Sequence, residues 1–281
     1  MNAPTFSSIA MNTPNAYPRI AIFDISGKGK GVVALEPILR GTRIIAEKPR
    51  IRVPHWQDHR RDLDFNSLTK EDQDFFMSFP CPDGRDPVAG RFCHLVPCVG
   101  SSDQASAIFE TVCRLNHTCH SPMGRPNAVY TWVENKNEEI VHATEDIAVN
   151  EEITVSYIQV SGHILDPRTI LKIGYGFECE CAGCQRSPVQ RTHSLARIKA
   201  FNDYNSRLPA RMGSREAPSS ILNDIERNML AICAEGYDLN ISACAHDAFQ
   251  LCGFYGDAGS AARWEVIIPG VTSHDPRHRF A

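Results

Sequence analysis

The chain has 281 residues, a formal charge of −4 and a hydrophobic share of 42%, which is material enough for one large domain plus a smaller one. The small net acidity argues against direct nucleic-acid binding, since an electrostatically driven binder would be clearly basic, and no apolar run approaches the roughly 20 residues that span a bilayer. Eleven cysteines, behind a polar N-terminus with no signal-peptide core, point to a reduced intracellular setting and to metal ligation rather than a disulfide framework.

Residues 1–17 read as a flexible tail. Arg19 to Ile25 forms a β-type run closed by Ser26-Gly27-Lys28-Gly29-Lys30-Gly31, and Val32 to Leu35 and Ile44 to Glu47 follow as further strands. Short strands joined by tight turns indicate a mostly antiparallel β arrangement. Gly29-x-Gly31-x-x-Ala34, with Glu47 downstream, superficially matches a dinucleotide fingerprint. That motif needs a helix starting in the glycine loop; Pro37 and Gly41 leave no room for one, and the reading is rejected.

From about Trp56 to Leu115 the pattern changes to a helical insert. Thr69 caps a helix through Phe76, Cys81 to Gly100 reads as loop, and a second helix is expected over Asp103 to Leu115. Cys93, His94 and Cys98 are irregularly spaced and read as ordinary thiols and a histidine rather than a metal site. Asn127 to Val133 and Glu139 to Thr144 form a hairpin around Glu134-Asn135-Lys136-Asn137. Asn150 supports a turn before the strand Ile153 to Tyr157, and Asp166-Pro167 opens a short helix ended by Gly174. Beyond Cys184, Ile221, Leu222, Ile225, Met229, Ile232 and Cys233 share one helix face, and Ile241 to Cys252 carry a second stripe. Gly253 and Gly256 break that stripe, and Asp257 caps a third helix, Ala258 to Trp264. These helices look like part of a tetratricopeptide-type array.

Two constellations carry chemistry. Cys179-x-Cys181-x-x-Cys184 places three thiols on one turn, a zinc half-site. For the fourth ligand Cys119 is chosen, with Cys113 and His193 as alternatives. A zinc with four protein ligands is structural, because no position stays open for a reacting water. The second constellation is Asn116-His117-Thr118-Cys119, then Pro126-Asn127, then Glu151-Glu152-Ile153-Thr154-Val155-Ser156-Tyr157.

Taken in order, these motifs resemble the core of the SET-domain protein lysine methyltransferases, and Gly27 to Val32 resembles the N-terminal glycine loop of that family. Gly176-Phe177-Glu178-Cys179-Glu180-Cys181-x-x-Cys184 resembles its post-SET cysteine motif. The chain is most similar to the MYND-associated SET group (SMYD-like) and its fungal relatives, without the cysteine-dense MYND finger.

The resemblance implies an α+β fold. It comprises a β-rich SET domain with pseudoknot-like threading over 18–160, the helical insert at about 56–115, a post-SET zinc segment at 161–190 and a small helical, tetratricopeptide-like domain at 191–281. It implies S-adenosyl-L-methionine as methyl donor and structural Zn2+ on Cys119, Cys179, Cys181 and Cys184. Lys28, Gly29 and Lys30 would line the methionine end of the cofactor. Asn116 would bond its polar atoms, His117 would contact adenine through backbone, and Phe177 would wall the adenine. Tyr157, which also borders the cofactor, would orient the lysine, with Tyr175 as a second wall. The implied partner is a protein presenting lysine in an extended peptide. A catalytically silent SET module serving protein interaction is the alternative. The chain departs from the family pattern at Thr118, where Ser is usual, at Asn150, where Gly is common, and at His120 to Arg125, an insertion before Pro126-Asn127.

Overall fold

The computed structural model describes residues 17–54, 65–99, 104–158, 166–237 and 241–272. The chain divides into two compact units. The first comprises residues up to His117 with Pro126–Val155 and Leu171–Glu178; the second comprises Thr118–Arg125, Ser156–Ile170 and the chain from Cys179 onward.

The first unit is built on three small sheets. β1 (Ile20–Ile25) and β2 (Gly29–Ala34) form a hairpin, and β2 also pairs antiparallel with β10 (Glu152–Val155). Val32, Val33 and Ala34 are fully buried, with partner strands on either side. β10 then pairs parallel with β7 (Asn116–His117), setting Thr154 beside Asn116 and Val155 beside His117. This parallel contact joins two segments that are distant in sequence. A second sheet orders β3 (Arg43–Glu47), β9 (Glu138–Ala143) and β8 (Ala128–Val133). Its hairpin turns through Asn137, which takes φ +52°, and Asn150 takes φ +64° before β10. Asparagine tolerates this left-handed region better than most residues.

The third sheet corrects an expectation. β6 (Gln104–Ile108) pairs antiparallel with both β4 (Ile51–Pro54) and β5 (Val96–Val99), where a helix over Asp103 to Leu115 was expected; Asp103 itself lies outside the described residues. Alanine favours helix in isolation, but Ala105 and Ala107 are fully buried between two partner strands, and tertiary pairing overrides propensity. A 3-10 turn, Val112–Arg114, completes the segment. Helix α1 (Lys70–Met77) does form, with Thr69 as its cap, and Phe76 and Phe79 pack with Ile51 and Ile108.

Helix α2 (Pro167–Tyr175) ends at Gly176, φ +80°. The second unit continues with α3 (Pro188–Met212), α4 (Pro218–Cys233), α5 (Ile241–Phe254) and α6 (Ala258–Thr272). A capping box, Ser187 with Gln190, starts α3. Ile198, Phe201, Leu208, Ile221, Ile225, Ile232, Ala248 and Leu251 form one core. The apolar stripes anticipated for α4 and α5 thus face a common interior. α3 and the extension of α6 past Trp264 lie beyond what the stripes indicated. No described helix is long and apolar enough to cross a membrane.

Candidate functional site

The glycine loop and the Asn-His strand meet in the first unit. Gly27 and Gly29 both hold φ +74°, a conformation that glycine adopts without steric cost. Gly31 is needed for a different reason. A Cβ there would stand 2.6 Å from Ile25 Cγ1, 2.7 Å from Asn116 Nδ2 and 3.0 Å from Glu152 Oε1. Asn116 Nδ2 donates to the Lys30 carbonyl at 3.2 Å and to Glu152 Oε1 at 2.8 Å. Both partners are acceptors, which assigns the amide orientation with Nδ2 toward them. Glu152 Oε2 takes Lys28 Nζ at 2.6 Å, while Lys30 pairs with Asp24 at 3.3 Å.

Asn127 secures the adjoining strand. Its Oδ1 accepts the Thr154 N–H at 2.8 Å, and its Nδ2 donates to the Glu152 carbonyl at 2.9 Å and to Glu151 Oε1 at 3.0 Å. The insertion at 120–125 therefore leaves Asn127 seated against β10. His117 is buried, its ring 6.4 Å from Phe177, and Phe177 lies 6.5 Å from Tyr175. Tyr157 is half-buried, two positions beyond Val155 and in the second unit.

The thiols converge within the second unit. The Sγ atoms of Cys119, Cys179, Cys181 and Cys184 all lie within 4.8 Å of one another. Cys119 is 3.5 Å from Cys184 and 4.0 Å from Cys179. Tetrahedral ligation with Zn–S bonds of about 2.3 Å requires sulfurs roughly 3.8 Å apart, so the donor set fits a zinc ion. Hydrogen bonds from the neighbouring thiols hold Cys119 up in its protonated form, and those same bonds pull Cys181 down. Four thiolates this close cannot all ionise without a cation between them. Cys113 is outside the cluster; it accepts the Phe109 N–H and donates to the His94 carbonyl. Neither His193 nor the Cys93, His94 and Cys98 set joins a metal-ligand group among the described residues.

The insertion closes on the second unit's own residues. Ser121 Oγ donates to the Gly124 carbonyl at 2.9 Å. Gly183 and Gly236 both abut Ser121, where a Cβ would come within 2.8 Å and 2.7 Å of it. His120 Nδ1 lies 2.7 Å from the Gly236 carbonyl, and its ring stacks on Tyr237 at 4.4 Å. Arg186 Nε donates to the Gly183 carbonyl in the cysteine turn, and its guanidinium also reaches Ser194 and the buried Glu235.

Three contributors were not assigned a role from sequence. Glu152 bridges Lys28 and Asn116; the available signal was a pair of glutamates opening a strand, which cannot both face one side. Gly31 marks a close approach that motif spacing does not distinguish from a turn. Glu47, acid of the rejected dinucleotide pattern, accepts the backbone N–H groups of Glu110, Thr111 and Val112 and so ties down the turn before Asn116. Burial raises its carboxyl above the usual range although those bonds act to lower it.

The family model for the SET domain matches residues 29–158, a span containing Gly29, Gly31, Asn116, Asn127 and Glu152. The histone-lysine N-methyltransferase set5 of Schizosaccharomyces pombe is 29% identical over 245 residues, covering 84% of this chain and 72% of that protein. N-lysine methyltransferase SMYD2-B of Xenopus laevis is 34% identical over 195 residues, 63% of this chain and 43% of the relative. Histone-lysine N-methyltransferase ASHR1 of Arabidopsis thaliana is 37% identical over 101 residues, 36% of this chain and 19% of the relative. The chain thus spans less than half of the latter two. The Asn-His strand and the strand opening at Glu152 meet in one sheet inside the matched span, so residues 29–158 of this chain match the SET domain, and the chain is similar to fungal Set5 and SMYD2 methyltransferases.

Proposed function

We propose that this protein transfers a methyl group from S-adenosylmethionine to the side-chain amine of a lysine in a protein substrate. The observation that supports this most is the Gly31 crossing, where Asn116 and Glu152, inside the matched span, lock together with Lys28 just ahead of it. When bound, the cofactor supplies an electrophilic methyl on a sulfonium. In this reading Asn116 Oδ1 meets a donor at its methionine end, and Lys28, Gly29 and Lys30 line that end. Buried His117 offers backbone to the adenine, and Phe177, 36% exposed, supplies a wall with area still to cover.

The lysine must arrive neutral, desolvated and aimed, so most of the gain comes from positioning and electrostatics. Tyr157 is assigned to orient the amine through its hydroxyl and to favour its neutral form. Tyr175 is the second wall of the channel. Cys119, Cys179, Cys181 and Cys184 hold one structural zinc, and residues 18–160, 161–190 and 191–281 act as SET, post-SET and helical domains. Some of the relatives are named for histone lysine and others for lysine alone, and the substrate class proposed here is a lysine in an extended peptide.

Calorimetric titration with S-adenosylmethionine or its demethylated product should release binding heat with one site per chain. Tyr157→Phe should keep that binding and the melting temperature while lowering methyl transfer by roughly 100-fold or more, the scale set by removing one aligned donor. Absence of binding heat removes the enzyme reading; wild-type turnover in Tyr157→Phe removes that residue's role.

A further inference from the structure

The loop Cys81–Gly90, which belongs to neither the glycine loop nor the cysteine turn, grips the segment carrying Tyr175 and Phe177. Arg85 Nη1 donates to the Gly174 carbonyl at 3.0 Å, and Nη2 donates to the Ile173 carbonyl. Both acceptors are in the last turn of α2, whose carbonyls have no partner further along the helix. A guanidinium presents two donors in one rigid fork, which suits two adjacent carbonyls and adds a cation at the negative helix end.

A steric lock accompanies the hydrogen bonds. Gly176 holds φ +80°, and a Cβ there would stand 2.3 Å from Pro82 Cβ. The loop also aims the arginine. A Cβ at Gly90 would lie 2.9 Å from Arg85 Cβ, so the arginine stem rests on bare backbone. Asp86 closes the loop by accepting the Val88 and Ala89 N–H groups at 2.9 and 2.8 Å. The gripped residues, 173, 174 and 176, interleave with Tyr175 and Phe177, and Phe177 in turn lies against the ring of His117.

We propose that Arg85 is a positioning residue: through the ends of α2 it sets where the Tyr175 and Phe177 side chains stand, and so the shape of the cofactor and lysine pocket. The functional half of this statement rests on the methyltransferase reading above; the structural half does not.

Hydrogen exchange on the ligand-free full chain tests the structural half. Arg85→Ala should speed exchange of amides in 171–178 by about tenfold or more, with Val32 to Ala34 unchanged. Arg85→Lys, which keeps the charge without the fork, should give an intermediate rate. Calorimetry with S-adenosylmethionine tests the other half as a double-mutant cycle. Arg85→Ala should weaken binding about fivefold or more in the wild-type background, but less than twofold when Phe177 is already Ala. Unchanged exchange over 171–178 overturns the clamp, and equal weakening in both backgrounds overturns the positioning of Phe177, since Arg85 would then act elsewhere. Wild-type protein that binds no cofactor would sink the enzyme reading while leaving the exchange result to decide the clamp.

Discussion

The glycine-loop region and the cysteine cluster are held by opposite means. Around Gly31 the parts are complementary before any ligand arrives: amide to carbonyl, amide to carboxylate, ammonium to carboxylate, each at hydrogen-bond distance. Around Cys119 four like groups crowd within 4.8 Å and repel once ionised. One region is complete from its own residues, whereas the other requires a cation to be at rest. The difference predicts that the two regions fail separately.

The largest effect should come from the metal side. Structural zinc contributes roughly 10–16 kcal/mol of apparent binding energy in small domains, so Cys181→Ser or a strong chelator should abolish zinc binding. It should also release the turn at 179–184 and the insertion at 120–125. Hydrogen exchange should then rise over both segments while Val32, Val33 and Ala34, buried between β1 and β10, stay protected. Metal analysis should fall from one zinc per chain to none. Simultaneous loss of protection in both regions would erase the distinction, and wild-type protein without zinc would remove its premise.

The reverse perturbation is Gly31→Ala. The added methyl would push on Ile25 Cγ1, the Asn116 amide and the Glu152 carboxylate, and overpacking of this kind costs about 1–3 kcal/mol. We expect affinity for S-adenosylmethionine to drop about tenfold or more, because Asn116 and Lys28 both depend on Glu152. Zinc content should stay at one per chain. Loss of zinc in Gly31→Ala would show that the cysteine site leans on the glycine loop after all.

How much of this was legible beforehand follows the same division. Spacing revealed Cys179, Cys181 and Cys184, since ligands on one turn are local in sequence. Cys119 needed the family pattern, because nothing local links it to a turn some sixty positions on. Asn116 and Asn127 were readable as motif letters, yet their work is defined by Glu152 and Thr154, which reach Asn116 across a parallel strand pairing and Asn127 through its own side-chain amide. The helix expected over Asp103 to Leu115 failed because Ala105 and Ala107 are dictated by β4 and β5, not by their own propensity. Arg85 carried no signal at all. A basic residue in a Pro-Gly loop looks like surface until the carbonyls of Ile173 and Gly174 are seen to end a helix beside it.

A subtler test compares two buried carboxylates, one in each unit. Glu235 is held by the Ser194 hydroxyl, Arg197 and Arg186. Glu139, on the central strand β9 opposite Trp132 and Glu47, is fully buried with no hydrogen-bond partner for either oxygen among the described residues. Burial pushes its carboxyl well above the ordinary 4.5. Below that value both folded and unfolded chains are protonated and the group is neutral in the balance. Above it the unfolded chain ionises while the folded acid does not, so stability falls by about 1.4 kcal/mol per pH unit until the folded group also ionises. Glu139→Gln cannot ionise, so its advantage over wild type should widen as pH rises from 5 toward 7, by a few degrees in melting temperature for a chain of this size. The depressed carboxyls of Asp72, Glu216 and Asp257 lose their contribution as pH falls, but they are common to both proteins and cancel in the difference. A difference that stays flat over that range would mean the folded chain gives Glu139 a partner, making it as well compensated as Glu235.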